Sequence, residues 1–112
     1  MFRVQMAKLE NREGTFVIPD LAGGQAALAS VDLPEDMRVW IPDPAGEASY
    51  PIVTYSWLLV KQRYEDPAKR DTLKSLLNYC LTEGQQIAEP MGYIPLPQAT
   101  VERVLEATGR IE

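Results

Sequence analysis

The chain contains no histidine and one cysteine, Cys80, in 112 residues. The missing histidine excludes Ser-His and Cys-His nucleophile pairs, imidazole-ligated metals and the commonest general base. A lone cysteine excludes an internal disulfide and a thiolate zinc site. No run of eighteen apolar residues exists, so no transmembrane helix is expected. Residues 1–10 carry alternating charge rather than a continuous apolar core, so they do not read as a signal peptide. Basic residues are outnumbered 16 to 11 and are scattered, giving a net charge of −5. That balance argues against a nucleic-acid or anionic-membrane surface. Catalysis is not expected, because no pair of acids suggests a converging site.

What is present is one domain's worth of chain with an ordinary apolar fraction. The most β-prone and most apolar stretch is Ser49 to Lys61. Pro51 opens it, and Ile52, Val53, Tyr55, Trp57, Leu58, Leu59 and Val60 fill it. Both side-chain parities are apolar towards its C-terminal end, the pattern of a strand buried on two faces. This run is therefore expected to be a buried central strand, with short strands before it and helices after it.

Phe2 to Glu10 alternates as a half-buried strand, Asn11 to Gly14 reads as a turn, and Thr15 to Ile18 as a second strand, together a hairpin. The chain thus enters a strand with no lead-in, which suggests a portion of a larger fold. Pro19 and Asp20 open a short helix containing Gly23 and Gly24. The glycine pair lacks the spacing of a phosphate loop and reads as a close-packing device. Met37 to Ile41 alternates as a further strand, and Pro42 to Gly46 is a stiff loop. Trp40, Tyr50, Tyr55 and Trp57 read as core rather than as a ligand platform.

From Asp66 the period becomes helical. Asp66 is an N-cap, Pro67 the first helical residue, and Leu73, Leu76, Leu77, Cys80, Gly84, Ile87 and Ala88 one apolar stripe. Cys80 is expected to be a buried small hydrophobe. Glu89-Pro90 ends the helix. Met91 to Leu96 is an extended connector. A last helix from Pro97 carries Val101, Val104, Leu105 and Thr108 inward, with Gly109 as the residue after its cap. The fold class expected is α+β.

Three segments together resemble the C-terminal part of the phosphate-binding proteins of ABC-type phosphate importers, cyanobacterial members above all. They are Gly24-Gln25-Ala26-Ala27-Leu28-Ala29-Ser30, then Ile41-Pro42-Asp43-Pro44 running on to Ser49-Tyr50-Pro51-Ile52-Val53-Thr54-Tyr55-Ser56-Trp57, and the helix from Asp66 to Ala88 followed by Tyr93-Ile94-Pro95-Leu96-Pro97. The resemblance implies part of a two-lobed periplasmic-binding fold of type II. Residues 1–50 correspond to a portion of the second lobe, 51–60 to an interlobe strand and 61–112 to the C-terminal helices of the first lobe.

The function so implied is capture of a phosphate ion in the periplasm for delivery to importer membrane subunits, with no cofactor. The family binds phosphate through hydroxyls, helix N-termini, an Arg and an Asp. None of those positions is matched here, so no residue of this chain is assigned to the phosphate site. Thr54 and Ser56 are the nearest hydroxyls and read as hinge-strand residues. Sheet edges left without partners lead to an expected homodimer. The alternative is a self-contained, non-catalytic interaction domain acting through an exposed sheet or helix face.

Overall fold

A computed structural model describes residues 5–112. The chain divides into two compact units, Met1–Tyr55 and Ser56–Glu112.

In the first unit, β1 (Leu9–Glu10) and β2 (Phe16–Val17) pair antiparallel, Leu9 opposite Val17 and Glu10 opposite Phe16. The expected hairpin is present but short. Of its first strand, residues 2–4 lie outside the described residues, and 5–8 join no ladder. The turn closes because Gly14 takes φ +79, where a Cβ is strained, and donates its N–H to the Asn11 carbonyl at 2.9 Å.

The side chain of Asn11, 4% exposed, connects this turn to a second loop. Its Oδ1 accepts from the Glu13 N–H at 3.1 Å and the Thr15 N–H at 3.0 Å. Its Nδ2 donates to the carbonyls of Gly46, Glu47 and Ser49 at 3.3, 2.9 and 3.1 Å. Next to it, the Arg12 N–H donates to Asp43 Oδ1 at 3.0 Å. Asn offers two donors and a two-lone-pair acceptor on one planar group, and here all are used.

Helix α1 (Leu21–Ala29) starts where the Asp20 carboxylate accepts from the Gly23 N–H at 2.8 Å. Gly23, Gly24, Ala27 and Leu28 form its buried side. A Cβ on Gly23 would stand 3.1 Å from both the Ile18 carbonyl and Val17 Cγ1, so the glycine lets the first turn lie against the end of the hairpin. The Gly23 carbonyl also accepts from the Tyr50 N–H at 3.0 Å. The close-packing role expected of the pair is the one Gly23 fills.

The strand expected over Met37–Ile41 is not formed. Its alternation survives only as burial: Met37, Val39 and Ile41 turn inward, while Arg38 and Trp40 are exposed. One antiparallel bridge, Pro42 to Ile52, follows it. Proline has no N–H to give a ladder, so the pairing cannot extend through Pro42.

The buried central strand expected over Ser49–Lys61 requires the largest correction. Between Pro51 and Tyr55 the odd positions turn inward and Ile52 and Thr54 outward, the pattern of a one-sided strand. Beyond Tyr55 the apolar residues leave the interior: Leu58 is 73% and Leu59 94% exposed. The physical reason is the lack of neighbours. A strand is buried on two faces only inside a larger sheet, and the sole ladder among the described residues is β1 with β2. The α+β class itself stands, with two short strands and four helices.

In the second unit, α2 (Pro67–Leu81) is capped by Asp66, whose carboxylate accepts from the Ala68 and Lys69 N–H groups at 2.9 and 3.4 Å. Helix α4 (Gln98–Gly109) packs on α2. Leu77 and Leu81 are buried on one side, Val101 and Thr100 on the other. Val104, Leu105 and Thr108 are half-buried, as their spacing predicts. The long helix expected to reach Ala88 breaks after Leu81, where Thr82 turns out of helical geometry, and resumes as α3 (Gln85–Ala88). Leu76, Cys80 and Ile87, expected on the inner stripe, are exposed. A single packed neighbour covers the Leu73-Leu77-Leu81 row, and the break takes Ile87 off it.

Gly84 makes the break possible. Its N–H reaches the Tyr79 carbonyl at 2.8 Å, and a Cβ there would lie 2.9 Å from Cys80 Cα. Gln85 then brackets the gap, donating to the Cys80 carbonyl at 2.8 Å and accepting from the Leu96 N–H at 2.7 Å. At the other end Gly109 is the last helical residue, and Arg110 caps with φ −80 rather than a left-handed turn. Lys74 Nζ takes over part of the capping, donating to the carbonyls of Gly109 and Ile111 at 3.4 and 3.1 Å. Glu112 exchanges backbone hydrogen bonds with Gln62 and Tyr64, both 2.7 Å, and pairs with Arg63 at 2.8 Å.

Asn11→Ala is expected to destabilise the chain by about 3 kcal/mol, since it leaves several inward-facing backbone groups unpaired. Urea denaturation measures the loss, and amide exchange at Glu13 and Thr15 should accelerate with it.

Candidate functional site

The described residues hold no group of three or more His, Cys, Asp or Glu placed to bind a metal. Among the described residues, no helix is long and apolar enough to cross a membrane. Anion chemistry is likewise committed elsewhere. The N-termini of α1 and α2 are each occupied by the carboxylate of their own cap, Asp20 and Asp66, which puts a negative charge where an anion would sit. The start of α4, at Pro97, has no side-chain cap.

The hydroxyls are turned onto their own backbone. Ser30 donates to the Ala27 carbonyl, Ser49 to Ala45, Thr72 to Ala68 and Ser75 to Asp71, all between 2.7 and 2.9 Å. Thr54 is exposed, and its hydroxyl donates to the Tyr55 carbonyl at 3.2 Å. Ser56 is also exposed and begins the second unit. These five hydroxyls, at Ser30, Ser49, Thr54, Thr72 and Ser75, are each engaged by a backbone carbonyl.

The aromatic residues divide. Tyr55 is buried with its hydroxyl directed at the Leu28 carbonyl at 3.5 Å, and the Tyr50 hydroxyl donates to the Ala7 carbonyl at 3.0 Å. Trp40 is 83% exposed, contrary to the core role expected of it. It lies on the outward parity of Met37–Ile41, between the half-buried Val39 and the buried Ile41. Two carboxyls carry shifted acidities. The Arg38 N–H, then its guanidinium, holds Asp36 below the usual carboxylate value. The Arg70 guanidinium, 2.8 Å away, holds Asp71 below it too. Both pairs are exposed links between near neighbours in sequence, not a catalytic arrangement.

What remains is a surface. Trp57, Leu58, Leu59 and Val60 form a continuous exposed apolar run in the second unit. Contiguous exposed apolar residues set this stretch apart from apolar residues exposed singly.

Comparison with known proteins gives that run a context. No family model matches the chain. Curated relatives do: 104 residues are 26% identical to the phosphate-binding protein PstS of Xylella fastidiosa, covering 91% of this chain and 29% of the relative. The PstS of Methanocaldococcus jannaschii is 32% identical over 124 residues, 98% of this chain and 32% of the relative. That of Pasteurella multocida is 25% identical over 100 residues, covering 88% and 29%.

The chain resembles part of a PstS-type phosphate-binding protein. It spans about three-tenths of the length of these relatives. The resemblance carried by the Tyr-Pro-Ile-Val-Thr-Tyr and Tyr-Ile-Pro-Leu-Pro segments is thus supported over nearly the whole chain. The sequence reading missed Asn11 as an organising residue, although an Asn at the head of an Asn-Arg-Glu-Gly turn is a known signal for side-chain capping of the backbone.

Two outcomes follow from this geometry. Cys80, exposed, should react with a thiol reagent in the folded chain at close to the rate of an unfolded cysteine, read by absorbance at neutral pH. Asp36 and Asp71 should titrate below the ordinary 3.8 in carboxyl-detected NMR. Their stabilising contribution is then complete above that value and disappears as pH falls through the lowered midpoints.

Proposed function

We propose that this chain is a portion of a phosphate-binding protein serving ABC-type phosphate uptake, and that this portion does not hold phosphate by itself. The similarity to PstS proteins over 88 to 98% of the chain carries the reading. The parent acts in the periplasm, binds a phosphate ion and delivers it to importer membrane subunits without catalysing a reaction. Residues 1–50 belong to a portion of one lobe, 51–60 to a crossing between lobes, and 61–112 to the closing helices of the other. The division of the chain between Tyr55 and Ser56, inside the crossing segment, supports that assignment. The occupied helix caps and self-bonded hydroxyls support the absence of a phosphate site in this portion.

Isolated, the chain associates as a homodimer through its exposed apolar residues. A second reading draws on the same exposed run: a non-catalytic interaction domain that uses this face with no ligand.

Isothermal titration of the 112-residue chain with inorganic phosphate should give no binding at micromolar concentrations. Micromolar or tighter binding overturns the assignment of the site to the remainder of the parent. Sedimentation at high concentration should show a dimer, and a monomer there overturns the association.

A further inference from the structure

Helix α2 stops at Leu81, but the apolar repeat in the sequence does not stop with it. An unbroken helix turns about 100° per residue and would place Leu76, Cys80 and Ile87 within about 40° of one another, on one side of a helix from Pro67 to Ala88. The backbone bonds around Gly84 show what replaces that helix. An α-helix gives the Cys80 carbonyl to the Gly84 N–H and the Tyr79 carbonyl to the Glu83 N–H. Here the Gly84 N–H slips back by one residue, to Tyr79 at 2.8 Å. The Gln85 side chain takes the vacated place, its Nε2 donating to the Cys80 carbonyl at 2.8 Å. The N–H groups of Gln85, Gln86 and Ile87 then turn to carbonyls three residues back, those of Thr82, Glu83 and Gly84, at 3.2, 3.1 and 3.2 Å. The break is a re-pairing of helical groups, completed by one side-chain amide.

The same amide holds the connector that leads to α4. Gln85 Oε1 accepts from the Leu96 N–H at 2.7 Å, and close by the Tyr93 N–H donates to the Ala88 carbonyl at 2.9 Å. Gln85 thus turns its donor to the helix end and its acceptor to the connector. Flipping the amide would set donor against donor and oxygen against oxygen, so the two bonds stand or fall together. We propose that Gln85 is a latch that couples two events: it keeps α2 broken and the connector docked, and its release lets α2 run on as a single helix to Ala88. Gly84 decides how readily that happens. In the broken form a Cβ at residue 84 would lie 2.9 Å from Cys80 Cα and 3.0 Å from the Cys80 carbonyl oxygen, backbone atoms that cannot turn aside. In a continuous helix alanine is favoured over glycine by about fivefold in population. The latch is a property of the second unit alone and does not depend on the PstS reading.

Gly84→Ala and Gln85→Ala test the latch in the full 112-residue chain. Gly84→Ala removes no atom of Gln85 or Leu96, so any effect on Leu96 travels through the coupling. In both variants the Cα chemical shifts of Thr82 and Glu83 should move to helical values and the helical ellipticity should grow. Amide exchange at Leu96 should accelerate by about tenfold or more in both.

Non-helical shifts at Thr82 and Glu83 in either folded variant overturn the latch. Unchanged Leu96 exchange in folded Gly84→Ala does so too, because a rigid turn with two separate contacts gives that result. If Gly84→Ala fails to fold, Gln85→Ala decides alone, since it adds no atom to the crowded turn. A Gln85→Ala chain that loses helical signal overturns the latch as well.

Discussion

A single amide side chain holds the first unit's loops in register. Asn11 accepts two backbone N–H groups of its own turn and donates to three carbonyls more than thirty residues away. A two-residue ladder cannot hold a hairpin alone, since two short strands are marginal in water. The Asn11 bonds are largely withdrawn from solvent, and net contributions near 1 kcal/mol each make them comparable to the whole ladder. With Asn11 in place, the loop around Gly46 is fixed. Ser49 is then drawn inside at 1% exposure, and Tyr50 is brought to the Gly23 carbonyl. Helix α1 is thereby tied to the chain on both sides.

Helices were legible in the sequence where local chemistry determines them. Asp20 and Asp66 cap as their positions suggest, and Val101, Val104, Leu105 and Thr108 face inward at the spacing of one helical face. Strands were less legible, because a strand is a relation between segments. The apolar content of Ser49 to Lys61 and the alternation of Met37 to Ile41 are sound strand signals. Neither becomes a strand without a neighbour to pair with. The exposure of Cys80 was missed for a related reason: helical periodicity identifies an apolar stripe but not how many neighbours will cover it. The break at Gly84 depends on a contact with Cys80 four residues earlier, which composition does not reveal.

No residue of this chain was assigned to a site from the sequence; what the structure adds is where the hydroxyls and the helix caps point. Thr54 and Ser56 could be named from sequence, but the direction of a hydroxyl depends on backbone geometry. In Thr54 it turns to the carbonyl of the next residue. Asn11 shows the opposite case, a residue whose local turn chemistry was visible and whose long-range partners were not.

The clasp at residues 109–112 has a consequence for the order in which the second unit can be made. Lys74, Gln62 and Tyr64 all bond to residues that follow α4, and Ile111 is among the few buried apolar side chains of the unit. A ribosome releases Gln62 and Lys74 well before their partners, by two to three seconds or more at roughly 5–20 residues per second. Throughout that interval α2 has its Asp66 cap but neither its packing helix nor the clasp. The second unit is thus sealed from its far end, and its Leu73-Leu77-Leu81 face remains open to chaperones until the last helix emerges.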